Sequence, residues 1–357
     1  MENAPLFSKG RDLDALVAAL RPWLADRLGV ASVDVDPPDY PRGAGFSNET
    51  ILVTVRAGQR VDDLVVRIAP APEHQVFFEP KFHMQYDVLI ALARHPEVRV
   101  PQALWFEGDA AVLGRPFYVM RRMYGRVPVS MPPYNSSGWL AEATPAERRT
   151  LWESAMRQLT AIHRLPMETV SFFDRPEHGA PGIAQHLVYW TRYADWAFGN
   201  EIPEIVRTLL DWLNEHRPPM SPPGVSWGDA RIGNMMFDDD FRVVGVMDWE
   251  QASLAGPVAD LAWWLLFDES LSAGQGVPRL AGLGTRAETI ALWQEHTGHS
   301  IDHLHWHEVF ARVKAGLLSL RSRRTMQLPA DSGGARHFGY LRQACELAEI
   351  TAAQDVR

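Results

Sequence analysis

Hydrophobic positions along the chain change their period several times, and the changes predict where helices give way to strands. Leu13, Leu16, Val17, Leu20 and Leu24 recur at helical spacing up to a stop at Gly29, with Pro22 expected to kink or restart the helix. Two strand-like runs follow at 51–55 and 64–69, separated by a turn containing Gly58, and then a helical pattern over 82–94. A second strand pair is predicted at 103–106 and 116–123. Beyond about residue 124 the pattern is mainly helical and rich in tryptophan. Thr144-Pro145-Ala146-Glu147 has the form of a capping box with proline in the first helical position. Behind it Trp152, Ala155, Leu159 and Ile162 share one face, and His163 reads as a helix-end or core histidine. Further helices are predicted near 183–198, 202–216, 258–267, 287–296, 303–323 and 338–353. The proline-rich stretches 131–134 and 217–224 read as connecting loops.

One segment breaks this helical half. Residues 235–237 and 243–247 read as short strands, and Asp238-Asp239-Asp240 between them has the composition of a turn. An antiparallel pair brings its open ends together, which puts Asn234 and Asp248 side by side. An amide oxygen and a carboxylate there suit Mg²⁺, a hard cation that takes oxygen ligands and completes its shell with phosphates, better than zinc or calcium. Asp229, five residues before Asn234 and on a loop, stands where a catalytic base would accept a proton from an alcohol. Arg231 lies in the same loop, placed either to stabilise phosphoryl charge or to orient Asp229.

At these residues the chain resembles the aminoglycoside phosphotransferase family, small-molecule kinases with a protein-kinase-like fold. The residues that carry the likeness are Trp227-Gly228-Asp229, Asn234, Asp248-Trp249-Glu250 and the run from Gly256 to Ala262. The likeness is strongest to the branch related to kinase domains fused to acyl-CoA dehydrogenases. Trp227 departs from the histidine that most members carry there, a residue that supports the loop. The resemblance gives Asp260 a structural part, bracing the metal loop.

It also gives meaning to the first lobe. Gly43, Gly45, Ser47 and Asn48, ahead of the first strand, resemble the family's glycine-rich nucleotide loop, where backbone N–H groups approach phosphate closely. Arg67 interrupts an apolar strand. It is either a solvent-facing residue of an edge strand or, as the resemblance implies, the cation that reaches the α- and β-phosphates. Gln85 occupies the position where a kinase carries the acidic partner of that cation, and it can hydrogen-bond Arg67 without neutralising it. Glu79 and Asp87 are alternative partners. The resemblance makes 118–125 the inter-lobe hinge, with Met120 and Met123 lining an apolar slot for adenine.

Composition narrows the class. The chain has 357 residues, 46% of them hydrophobic, enough for a large core and two lobes. A single cysteine, Cys345, excludes an intrachain disulfide and makes a reducing cytoplasm the expected compartment. The first residues carry no basic or apolar leader, and no uncharged apolar run is long enough to span a membrane. A net charge of −9 argues against nucleic-acid binding. His303, His305 and His307, with Asp302 and Glu308, fit no zinc motif and read as ordinary helix residues.

The sequence therefore predicts an α+β, bilobal protein-kinase-like fold, with a nucleotide-binding lobe at 1–122 and a catalytic and acceptor-binding lobe at 123–357. Its expected chemistry is transfer of the γ-phosphoryl group of ATP, with Mg²⁺, to a hydroxyl of a small molecule. The acceptor stays open among aminoglycosides, hydroxyacyl compounds, choline and sugar alcohols. The alternative is a pseudokinase-like nucleotide sensor, which Gln85 and Trp227 would suit. No segment resembles a peptide-binding activation loop, so a protein substrate is not expected.

Overall fold

Asp12 accepts hydrogen bonds from the backbone N–H groups of Asp14 and Ala15, and this cap starts helix α1 (Leu13–Leu28), which Gly29 ends in the left-handed conformation. Pro22 does not break the helix as its sequence suggested. Leu16, Leu20 and Leu24, buried on one face, hold it to the sheet below and offset the hydrogen bond that proline removes. In the computed structural model the described residues are 11–41, 48–79, 82–219, 221–325 and 334–350. The chain divides into two units, residues 1–75, 81–94 and 100–124, and residues 76–80, 95–99 and 125–357.

In the first unit five antiparallel strands, β1 (Asp34–Val35), β2 (Glu49–Ala57), β3 (Arg60–Ile68), β4 (Ala103–Glu107) and β5 (Phe117–Arg121), lie in the order β1-β2-β3-β5-β4. Helix α2 (Phe82–Leu92) precedes β4, and the short α3 (Ala110–Leu113) joins β4 to β5. Ile51, Val53 and Val55 of β2, Leu64, Val66 and Ile68 of β3, and Phe117 and Val119 of β5 form a core with α1. Strand alternation turns Arg67 away from that core. It pairs in register with Thr50 on one side and Tyr118 on the other. β3 is the middle strand of the sheet, so the edge-strand reading of Arg67 is wrong.

The second unit is helical apart from one hairpin, β6 (Met235–Phe237) with β7 (Val243–Val246). Its helices are α4 (Trp139–Glu142), α5 (Pro145–His163), α6 (Ile183–Phe198), α7 (Glu204–Glu215), α8 (Pro257–Ser270), α9 (Arg286–Thr297), α10 (Leu304–Thr325) and α11 (Gly334–Leu347). Thr144 and Glu147 form the expected capping box at the start of α5. α7 begins two residues later than its hydrophobic pattern, because Pro203 occupies the N-cap. Residues of α6, α7, α10 and α11 make one core. α10 is buried at nearly every position from Leu304 to Leu317, which leaves His307, Glu308, Arg312 and Lys314 inside protein.

Truncating Leu20 to alanine removes a fully buried side chain from the centre of α1. Leu20→Ala is expected to cost about 2–5 kcal/mol in chemical denaturation followed by circular dichroism. The half-exposed Val61→Ala should stay within about 0.5 kcal/mol.

Candidate active site

The loop from Ser226 to Asn234 is held before any ligand is considered. Ser226 exchanges two backbone hydrogen bonds with Ser253, at 2.9 and 3.0 Å, so the loop runs against the segment that follows β7. Gly228 sits at φ +90°, and a Cβ there would lie 2.1 Å from the carbonyl oxygen of Gln251. Only glycine allows both that conformation and that approach.

A buried carboxylate organises the turn. Asp260, on the first turn of α8 and 1% exposed, accepts from Ser226 Oγ (2.7 Å), the Trp227 N–H (2.6 Å) and the Gly228 N–H (2.8 Å). His163, the last residue of α5, adds a fourth contact at 3.1 Å through Nε2. Trp293 Nε1 donates to His163 Nδ1 at 2.8 Å. An indole N–H can only donate, so Nδ1 accepts and Nε2 carries the proton that Asp260 receives. Asp260 therefore braces the loop that carries Asp229, through Ser226, Trp227 and Gly228. This corrects the expectation that it braces the metal loop. Trp227 has its own part. Its ring is fully buried, and its Nε1 donates to the carbonyl of Met247 at 2.8 Å, beside Asp248.

Asp229 receives three side chains. Trp263 Nε1 donates to Oδ1 at 2.7 Å, Asn234 Nδ2 to Oδ2 at 2.7 Å, and Arg231 Nε straddles both oxygens at 3.2 and 3.3 Å. Burial opposes the charge of Asp229, but Arg231, the donors Trp263 and Asn234, and Lys314 outweigh it and hold the carboxyl below its ordinary range. Arg231 Nη1 donates to Ser130 Oγ at 2.8 Å. Burial lowers the pKa of Arg231, whereas Asp229 and Asp248 raise it by more.

Asn234 and Asp248 close the hairpin as its sequence implied. The N–H of Met247 donates to the Asn234 carbonyl at 2.9 Å, which sets Asp248 next to Asn234. Asn234 also donates Nδ2 to the carbonyl of Asp229 at 3.0 Å. The amide nitrogen is thus committed to Asp229, and the side-chain atom left for a cation is an oxygen. Asp248 adopts φ +56°, a backbone conformation uncommon outside glycine. Two hard oxygen donors from a carboxamide and a carboxylate fit Mg²⁺, which takes its other ligands from phosphate and water. Among the described residues no cluster of three His, Cys, Asp or Glu side chains could hold a metal.

In the first unit Asn48 and Gln85 are both buried and joined, Asn48 Nδ2 donating to Gln85 Oε1 at 3.1 Å. Glu49, next along β2, is clamped by Arg11 Nε at 2.8 Å and Arg115 Nη2 at 2.9 Å. Arg67 and Met120 share the sheet face opposite the core, because Val65 and Met120 are register partners. Met123 follows β5 and is half-buried. Glu79 pairs with Arg192 and Asp87 with His83. Gly43, Gly45 and Ser47 lie outside the described residues.

Three residues around Asp229 escaped the sequence reading: Trp263, Ser130 and Lys314. Lys314 and Arg312 both interrupt the apolar run 309–320, so the rule that marked Arg67 raises two charges on α10 without choosing between them.

A family model described as the phosphotransferase enzyme family (APH) matches residues 40–296. The chain belongs to that family. Acyl-CoA dehydrogenase IBR3 of Arabidopsis thaliana is 26% identical over 62% of this chain and 27% of its own length. Acyl-CoA dehydrogenase family member 10 of Mus musculus is 27% identical over 74% of this chain and 25% of its own length. The chain spans about a quarter of these curated relatives. Among solved structures, a protein of Ralstonia eutropha assigned as an aminoglycoside phosphotransferase superposes with a TM-score of 0.69 at 23% identity, covering 93% of this chain and 98% of that one. APH(2")-IIia, solved with GDP and kanamycin, gives 0.53 at 16% identity over 88% and 93%. A macrolide 2'-phosphotransferase type I gives 0.55 at 19% over 96% and 97%. At these identities the likeness concerns the fold, which is protein-kinase-like. Membership places the chain among proteins described as phosphotransferase enzymes.

Replacing Asp260 with alanine strands four donors in the protein interior, each costing about 1–3 kcal/mol when left unsatisfied. Asp260→Ala is expected to lower the denaturation midpoint by at least about 3 kcal/mol equivalent, against about 1 kcal/mol for Ser226→Ala, which loses a single bond.

Proposed function

We propose that this protein transfers the γ-phosphoryl group of ATP to a hydroxyl of a small molecule in a Mg²⁺-dependent reaction. The observation that carries the reading is the orientation of Asn234. Its amide nitrogen donates to Asp229, which leaves its oxygen for a cation, and the backbone bond from Met247 brings Asp248 next to it, so one side chain would tie the base to the cation site. Asn234 and Asp248 are the residues to hold Mg²⁺, which when bound neutralises phosphate charge. Arg67 and the segment Gly43, Gly45, Ser47 and Asn48 are assigned to the phosphates, Gln85 to the support of Asn48, and Met120 and Met123 to adenine.

Asp229 is a weak base, held ionised by its neighbours. That suits a loose transition state in which the hydroxyl is positioned first and its proton leaves late. The two short bonds, from Trp263 and Asn234, orient the carboxylate. The two long contacts to Arg231 are those an incoming hydroxyl displaces, which frees Arg231 for phosphoryl charge. As the acceptor oxygen bonds to phosphorus, the bond from the γ-phosphorus to its bridging oxygen breaks, ADP leaves and the hydroxyl proton passes to Asp229.

The acceptor is to be found by mass-spectrometric screening of ATP-dependent products. Kanamycin-like aminoglycosides represent the structural neighbours, and hydroxyacyl-CoA compounds the dehydrogenase relatives. Choline-like amines and sugars complete the pools. One phosphate gained with the intact protein and absent with Asp229→Asn supports the reading. Mg-ATP binding by calorimetry with no product in any pool favours the nucleotide-sensor alternative.

Asp229→Asn and Asp248→Asn should keep the fold and lose turnover by about a thousandfold or more. Near-full activity in either variant contradicts the assignment. Because the Asp229 carboxyl lies below its ordinary range, lowering the pH to about 5 should not protonate it. An acid limb of kcat centred at or above that pH would belong to another group.

A further inference from the structure

Lysine is nearly absent from this protein. Lys9, Lys81 and Lys314 stand against thirty-two arginines. Lys314 is the only one among the described residues, and it sits inside the second unit on α10, 5% exposed. Its Nζ donates to the carbonyl oxygen of Gly228 at 2.6 Å and lies 4.1 Å from the ring centroid of Trp263 and 5.6 Å from that of Trp190. Gly228 precedes Asp229, and Trp263 donates to Asp229. Both routes from the ammonium lead to one carboxylate.

We propose that Lys314 is a positioning residue of the phosphoryl-transfer reaction, its ammonium fixing the Gly228 carbonyl and the Trp263 indole so that Asp229 is presented to the acceptor hydroxyl. The proposal rests on the kinase reading above. It assigns to α10 a part in the site that neither the sequence nor the family motif carries.

The charged and titratable groups around Lys314 are few. Asp229 faces it from the loop and Asp260 from α8, with Arg231 behind the first and His163 behind the second. His186 on α6 and His307 on α10 line the same small cavity. Burial takes the His307 imidazole down to about 3, so it is neutral. Burial likewise lowers Lys314, against the pull of Asp260 and Asp229, to about 8. An arginine would stay charged in that setting, whereas a lysine sheds its proton near working pH. Deprotonation weakens a charge-assisted bond to the loop, removes the cation over Trp263 and takes away one of the charges that keep Asp229 ionised.

Three lysines make selective labelling informative. Full-length protein carrying ¹³Cε-lysine is expected to show a resonance that titrates near 8, vanishes in Lys314→Met and moves to lower pH in Asp229→Asn, where an attracting charge is gone. This readout needs no acceptor. With the acceptor identified by the product screen, kcat should fall on the alkaline side with a midpoint near 8. Lys314→Met should lose at least about tenfold in kcat with the KM for ATP changed less than about twofold, and Lys314→Arg should retain turnover and lose the alkaline limb. A resonance titrating above about 10, or unmoved by Asp229→Asn, overturns the proposal without touching the kinase reading. So does an alkaline limb that persists in Lys314→Arg, the decisive variant if melting shows that Lys314→Met does not fold. A linked titration with no product from any pool instead overturns the kinase reading.

Discussion

The buried carboxylate of Asp260 is the constraint on which the site depends. An ion in a protein interior is tolerated only when its hydrogen-bonding capacity is filled, and here four donors from two parts of the second unit fill it. Its place in the first turn of α8 adds the favourable end of the helix dipole. Two of the four donors are backbone N–H groups, at Trp227 and Gly228. The turn before Asp229 is therefore fixed by main chain, whatever side chain stands at 227. This explains why tryptophan is acceptable at a position where most of the family carries histidine. The indole is released for another task, and it takes up the carbonyl before Asp248.

A second constraint follows from collecting opposite charges in little solvent. Asp229 and Arg231 are partly buried, and burial by itself works against the carboxylate's charge. Arg231 answers Asp229 and Asp248 together, so the guanidinium links the two carboxylates. Asp229 is oriented by two neutral donors at 2.7 Å and charge-balanced by longer ionic contacts. Orientation and charge compensation are thereby carried by different residues, and a substrate can replace one without disturbing the other.

The parts of this arrangement that were legible in the sequence are local. Asp229, Asn234 and Asp248 lie within 20 residues, a span that a single hairpin organises, and strand alternation with a three-aspartate turn is enough to bring its ends together. Capping at Thr144 and the stop at Gly29 are likewise read from neighbours in sequence. What escaped crosses the chain: Trp263, Lys314 and Ser130 reach the loop over separations of 34, 86 and 101 residues, where no periodicity speaks. Pro22 was misjudged because propensity is local and the burial of Leu20 and Leu24 is tertiary. Arg67 was left between two readings for a related reason. A charge in an apolar strand has no address until strand order places it in the middle of a sheet.

The supports of Asp229 and its loop differ in burial from one side to the other. Trp263 and Lys314, which steady Asp229 and the turn before it, sit on the buried helices α8 and α10, and Asp260 stands at the head of α8. On the other side, Arg231 also donates to Ser130, whose neighbours Val129 and Met131 are 41% and 75% exposed. Substitutions at those exposed positions cost little stability, because there is little burial to lose. The loop that carries Asp229 can thus stay fixed while the residues bordering Ser130 vary, and a fold does not by itself choose a substrate.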